Sequence, residues 1–226
     1  MPLARYRFVF AASTLSVGLA VGLLGGCVDP QGAFDAFGER YTKINSSTAS
    51  TGTGAGGGAC MAPAAGVLDG QYVFALAAKI NAKKPVALLL NVTTVSDGNG
   101  GLTMSMKETP LSYMDRKTPA GPEVDLGSFP VASDGTFTAA FGIINVPGSA
   151  NPITKDAAIT ADVTIKGSAC ASDPTFICGD VSGKVTAPIV IDLADPPPPS
   201  HFTMQKIEGG VYPAPVTDCA KTAAQY

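Results

Sequence analysis

The sequence is poor in the residues that carry most enzyme chemistry. It has no Trp and a single His among 226 residues, and only 15% of the chain is charged. Without Trp the chain lacks the side chain that stacks best on a sugar ring. A single His provides few groups for acid–base catalysis or for binding a metal ion. The net charge of −3 gives no electrostatic reason for a nucleic-acid partner. We therefore expect no nucleic acid, no metal and no cofactor.

Other residue types are abundant. Hydrophobic residues make up 46% of the chain, which also holds 26 Gly and 18 Pro. The chain is too apolar for a disordered protein, and it has too many turn-forming residues for a helical bundle.

The N-terminus has the pattern of an export signal. Arg5 and Arg7 precede an apolar run from Phe8 to Leu24, which predicts a signal peptide over residues 1–26; a transmembrane helix is the alternative. The segment Leu24-Gly25-Gly26-Cys27 resembles the lipobox of bacterial lipoproteins.

That resemblance implies that Cys27 becomes the mature N-terminus and carries fatty acyl chains such as palmitate, which anchor the protein in a membrane. Val28, rather than Asp, follows the cysteine, a pattern that favours the outer membrane in enteric bacteria. Whether the domain faces the periplasm or the cell surface stays open.

Residues 27–65 are predicted to be the lipid anchor and a tether. Phe34, Phe37, Tyr41 and Ile44 have helical spacing, which indicates a short amphipathic helix over 33–45 or a loosely ordered tether with nascent helix. Residues 46–59 are rich in Gly, Ser and Thr, as in flexible linkers.

Residues 66–219 are predicted to form a β-domain, followed by a C-terminal tail over 220–226. Apolar residues alternate with other residues from Tyr72 onward, and the run from Val181 to Ile191 is expected to be one strand. Hairpin turns are predicted at Asp97–Gly101 and Asp134-Gly135, and the four prolines 196–199 favour an extended connection. This pattern predicts an all-β fold of about 7–8 strands with one buried face, either an antiparallel β-barrel-like meander or a β-sandwich.

Four cysteines remain after Cys27, and an even number in an exported chain predicts disulfides. Cys170 and Cys178 flank one loop, while Cys60 and Cys219 bracket the domain. The expected bridges are therefore Cys170–Cys178 and Cys60–Cys219. No cysteine pair has the CxxC spacing of a zinc site or a catalytic dithiol.

The candidates for chemistry are weak. The segment from Asp97 to Glu108 superficially resembles a calcium loop, but Leu102 replaces the required Gly, so a hairpin turn is favoured. His201 is expected to be an exposed loop residue. Acidic residues in the middle of the chain allow hydrolase chemistry, but solvated loop carboxylates are more common; they are Glu108, Asp115, Glu123, Asp125 and Asp134.

The inward faces of the strands have two interpretations. They form an ordinary packed core, or they line a lumen for one small hydrophobic ligand. The candidate lumen residues are Leu88, Leu90, Leu102, Met104, Met106, Phe137 and Phe141.

The whole layout resembles envelope lipoproteins of Gram-negative bacteria that have a Gly/Ser-rich stalk, a disulfide-bonded β-domain and no assigned activity. This resemblance implies a location and not an activity. We expect a non-catalytic structural or interaction module that meets an envelope protein. The alternative is a lipocalin-like carrier of a small hydrophobic ligand, and a carboxylate-dependent hydrolase is less favoured.

Overall fold

The computed structural model describes residues 60–194 and 199–225. The signal peptide over 1–26, the lipidation of Cys27, the helix over 33–45 and the linker over 46–59 lie outside the described residues. Within the described part, regular structure consists of β-strands and two short 3-10 turns, with no α-helix. No helix found there has the length and apolar character needed to cross a bilayer. The prediction of an all-β fold is confirmed.

Nine strands follow one another along the chain. They are β1 (Gly70–Ala77), β2 (Val86–Ser96), β3 (Leu102–Pro110), β4 (Val124–Val131), β5 (Thr136–Val146), β6 (Ile159–Ser168), β7 (Phe176–Ala187), β8 (Ile191–Asp192) and β9 (Ser200–Lys206).

Eight of these strands close into an antiparallel barrel. Strands β1 to β7 form a meander in which each pairs with the next, although β4 and β5 share only the pair Val131–Phe137. Strand β9 then pairs with β7 on one side and with β1 on the other. Because every barrel strand has two neighbours, the barrel alternative describes this domain and the sandwich alternative does not.

Strand β7 pairs with two different strands along one edge and ends at a proline. The first part of β7 pairs with β9, and its last part pairs with β8 on the same edge. Pro188 ends β7, so the expectation of one strand from Val181 to Ile191 is wrong; the chain turns and Ile191 pairs back with Val185. Proline has no backbone N–H to donate to a ladder, which explains this break.

The inward-facing residues of the strands form a single core. Five phenylalanines make a continuous series of ring contacts across the lumen, with centroid distances of 5.7–6.3 Å; they are Phe137, Phe202, Phe74, Phe141 and Phe129. Gly167 makes room for this series, because a Cβ there would lie 2.7 Å from Cζ of Phe202 and 2.7 Å from the carbonyl oxygen of Cys178. The middle of the barrel is therefore filled by side chains.

The C-terminal segment covers part of the outer wall. Outward-facing Ala87 and Leu89 of β2 are buried with Leu111 against Ile207 and Tyr212. The Thr203 hydroxyl donates to the Val216 carbonyl at 2.8 Å, and the Gln225 amide donates to the Lys83 carbonyl at 2.7 Å. Segment 207–225 therefore packs along the barrel, and this explains why β1 is buried on both faces over Tyr72–Ala77. The expectation of a single buried face is wrong for β1.

Two disulfides are present, as expected, but the predicted pairing is wrong. Cys60 bonds to Cys170, and Cys178 bonds to Cys219. Segment 60–62 is held beside the β6–β7 loop, since the Ala171 amide donates to the Met61 carbonyl at 2.9 Å. Cys178 alternates with inward-facing Ile177 and so faces outward, where the C-terminal segment passes. Proximity in sequence favours a Cys170–Cys178 bond. In the structure, Cys170 lies next to Cys60 of the N-terminal segment 60–62, and Cys178 lies next to Cys219 of the C-terminal segment.

Candidate functional site

The two ends of the barrel have different loops. The mouth end, as we call it, consists of segments 78–85, 111–123, 147–158 and 188–194, which follow β1, β3, β5 and β7. The cysteine end consists of segments 60–69, 97–101, 132–135 and 169–175. Both Cys60 and Cys170 lie at the cysteine end, so the chain preceding Cys60 joins the barrel there.

A small apolar cavity lies at the mouth end. Its volume is about 70 Å³, and almost all of its wall is aliphatic. Asn151 is a polar residue in the wall, but its Nδ2 donates to Thr154 Oγ1 and to the Ala157 carbonyl, while its Oδ1 accepts from two loop amides. Its polar atoms hold the loop and are not available to a ligand. Aliphatic members of the wall include Leu76, Leu88, Ile144, Ile153, Val163 and Leu193.

Exposed aliphatic side chains surround this cavity. Ile80 and Ile189 line it and are each about half exposed, at 47% and 49%. Val190 is 67% exposed beside them. Exposed apolar side chains next to an apolar cavity are typical of binding surfaces.

The candidate lumen residues all belong to the core. Leu90, Met104 and Met106 are completely buried, and Phe141 is half-buried at the bulge of β5. Of the seven, Leu88 lines the mouth-end cavity, and the other six are not among the residues that line it. Their role as ligand contacts stays a prediction.

Charges also differ between the two ends. The four mouth-end segments hold six of the chain's 15 Lys and Arg residues and four carboxylates. The four cysteine-end segments hold four Asp residues and no Lys or Arg. Lys206 and Lys221 reach the cysteine end from β9 and from the C-terminal segment, where Lys221 pairs with Asp173 at 3.5 Å.

The carboxylates considered for hydrolysis are engaged in local structure. Asp115 accepts hydrogen bonds from Lys117 and Thr118, which hold its pKa at about 2. Glu123 pairs with Lys107 at 3.4 Å and accepts from Asn91. Asp125 accepts from the Gly127 amide within its own strand. The structure does not assemble them into an acid–base pair with a common partner.

The remaining motifs have structural roles. Asp97 Oδ1 accepts the amides of Asn99 and Gly101, so the Asp97 segment is a hairpin turn, as predicted. His201 lies in β9 and not in a loop, with Nδ1 3.1 Å from Asp180 Oδ1. Across the described residues, no cluster of three or more His, Cys, Asp or Glu side chains is arranged to hold a metal ion.

Glu108 is a buried carboxyl whose position was not anticipated. It follows Met104 and Met106 on the inward face of β3, is only 1% exposed, and its Oε2 has no hydrogen-bond partner. Burial raises the pKa of Glu108 to about 7. The alternation of inward-facing residues at Met104 and Met106 continues to position 108, so the sequence pattern could have predicted that Glu108 is buried. Because the side chain reaches neither solvent nor the cavity wall, it has no access to a substrate.

Comparison with known proteins does not assign this chain to a family. No family model, curated protein or solved structure matches this chain. The functional interpretation therefore depends on the geometry of the barrel and its two ends.

Proposed function

We propose that this protein is an envelope lipoprotein whose β-barrel is a non-catalytic interaction module, anchored through Cys27 and binding its partner at the mouth end. The observation that carries the proposal is the difference between the two ends. The apolar cavity and the exposed Ile80, Ile189 and Val190 lie at one end. The N-terminal connection enters at the other end, beside Cys60.

Anchoring at the outer membrane is supported by the lipobox-like segment ending at Cys27 and by Val28 after it. The two disulfides fit an oxidising compartment outside the cytoplasm. An acylated Cys27 would tether the barrel to the membrane through the Gly-rich segment 46–59, which precedes Cys60 in the sequence.

A second candidate function is a lipocalin-like carrier of a small hydrophobic ligand. The closed eight-stranded barrel and the aliphatic cavity favour it. The cavity volume of about 70 Å³ counts against it, since pockets for drug-sized ligands measure roughly 300–1,000 Å³. The phenylalanine series also occupies the lumen where a longer ligand would lie. The interaction module is therefore the better-supported function.

Site-specific photo-cross-linking in intact envelopes tests the proposal. A photoreactive residue replaces Ile189 at the mouth end, and the matched control replaces Val95, an exposed β-branched residue of β2 near the cysteine end. We expect a discrete cross-linked species from position 189 and none from position 95. Equal cross-linking at both positions, or none at either, would contradict a mouth-end binding site. Mass analysis of the cross-linked species separates a protein partner from a small ligand.

A further inference from the structure

A second concave site lies at the mouth end, separate from the apolar cavity. This basic cleft has a volume of about 250 Å³ and is lined by Lys84, Tyr113, Met114, Arg116, Pro152 and Lys155. Three of its six residues are cationic, and none is acidic. Lys84, Tyr113 and Arg116 are half-buried, whereas Met114 and Lys155 are exposed, so the cleft is open to solvent.

Backbone hydrogen bonds hold the three loops that form the basic cleft. The Tyr113 amide donates to the Ser149 carbonyl at 3.0 Å and joins two of the loops. Arg116 is held by its amide donating to Ser112, and Lys155 by its amide donating to Asn151. The backbone positions of the cationic residues are therefore fixed in advance, which reduces the entropy lost when a ligand binds.

Two of the cationic residues have an unfavourable backbone conformation. Arg116 has φ of 56° and Lys155 has φ of 62°, the left-handed region that residues other than Gly rarely adopt. Among the residues described here, Lys221 alone shares this conformation outside Gly. Strained residues of this kind concentrate at binding sites, and here two of them line one cleft.

The charges around the basic cleft reinforce it. Lys83 and Lys117 lie on the same loops, while the Asp115 carboxylate is turned toward its own loop by three hydrogen bonds. The other two carboxylates on these loops do not line the cleft: Glu123 pairs with Lys107, and Asp156 is not among the lining residues. A chain with a net charge of −3 thus concentrates positive charge at one place.

We propose that the basic cleft binds a phosphate group, carried either by a soluble phosphate ester or by a lipid headgroup. The ammonium groups of Lys84 and Lys155, two of the residues that line the cleft, supply positive charge and N–H donors that a phosphate accepts. Tyr113 and Met114 provide the apolar surface beside it. The site goes beyond the proposed function, since it requires neither the Cys27 anchor nor an occupant of the apolar cavity.

Calorimetric titration of the full chain, purified in an uncharged detergent at low ionic strength, tests the site with inorganic phosphate as the first probe. The variant Lys84→Gln/Lys155→Asn removes two charges, and Asn tolerates the backbone conformation at 155. The matched control, Lys166→Gln/Lys184→Gln, removes two charges from exposed positions on the barrel wall. We expect the first variant to bind phosphate about tenfold more weakly or not at all, and the control to stay within about twofold of the original.

Two further probes identify the source of the phosphate. Equal affinity for glycerol 3-phosphate and dihexanoyl phosphatidic acid would indicate a soluble ester, and tighter binding of the second would indicate a lipid headgroup. If no phosphate probe binds, or if both variants weaken binding equally, the proposal is wrong.

Discussion

Replacing the buried Glu108 by Gln is expected to remove a large pH dependence from the stability of the barrel. Glu108 is buried among apolar side chains, and burial raises its pKa from 4.5 to about 7. A carboxyl with a raised pKa binds a proton more tightly in the folded chain than in the unfolded chain. Between pH 4.5 and 7 its contribution therefore lowers stability as the pH rises, and above pH 7 the loss is complete.

The size of the effect follows from the pKa difference. One pKa unit corresponds to roughly 1.4 kcal/mol, so the shift on Glu108 is worth about 3 kcal/mol of unfolding free energy between acidic and alkaline pH. For a domain of this size we expect a decrease in melting temperature of roughly 6–12 °C over that range from this residue. Asp115 and Asp134 have lowered pKa values, so their contributions are lost only as the pH falls below about 4.

Urea unfolding of the original chain and of Glu108→Gln at pH 5 and pH 8, with the disulfides intact, measures this contribution. We expect the original chain to lose about 2.5 kcal/mol between the two pH values, because part of the effect is already lost at pH 5, and the Gln variant to lose much less. Glu123→Gln is the control, because Glu123 is exposed and its ion pair with Lys107 is worth little. The side-chain amide of the Gln variant is also buried without a hydrogen-bond partner, which lowers its stability at both pH values. The test therefore compares the change in stability between pH 5 and pH 8, and not the stability at one pH. An unchanged pH dependence in Glu108→Gln would refute the reasoning.

Two further predictions concern the core and the anchor. Gly167→Ala places a methyl group against the Phe202 ring and the Cys178 carbonyl oxygen, and we expect a loss of about 1–3 kcal/mol in unfolding free energy, measured by urea denaturation. Gly121→Ala is its control, since a Cβ there meets only ordinary contacts of 3.4 Å or more; equal losses would show that these two close contacts are not the cause. Cys27→Ala is expected to release the processed protein from the membrane fraction, as followed by fractionation and immunoblotting, because the acyl chains are lost. Retention of a processed Cys27→Ala chain in the membrane would mean that something other than acylation holds it there.

The alternation of side chains was enough to predict the β-domain, since period two identifies a strand wherever one face is buried. It could not predict which strands meet at the closure. The pairing of β9 with β1 joins residues about 130 positions apart in sequence, such as Phe74 and Met204. No local pattern carries that information.

The disulfide pairing failed for a related reason. The order of cysteines along the chain favours a bond across the short loop from 170 to 178. The true partners depend on two tertiary contacts: segment 60–62 lies against that loop, and the C-terminal segment passes over Cys178. Both contacts lie outside the alternating strands from which the fold was predicted.

The location of a binding site follows from how the barrel is filled. An eight-stranded barrel has an interior just wide enough for its own side chains, and here the phenylalanine series occupies it. Recognition must then use the ends or the outer wall, part of which the C-terminal segment covers. The hairpin loops of the cysteine end, 97–101, 132–135 and 169–175, are short turns. The mouth-end segments 111–123 and 147–158 are longer. Residues of these two segments and of 188–194 line the apolar cavity, the basic cleft or both. Long loops on a rigid scaffold are where binding residues concentrate, so the mouth end is the surface on which substitutions should change function without unfolding the barrel.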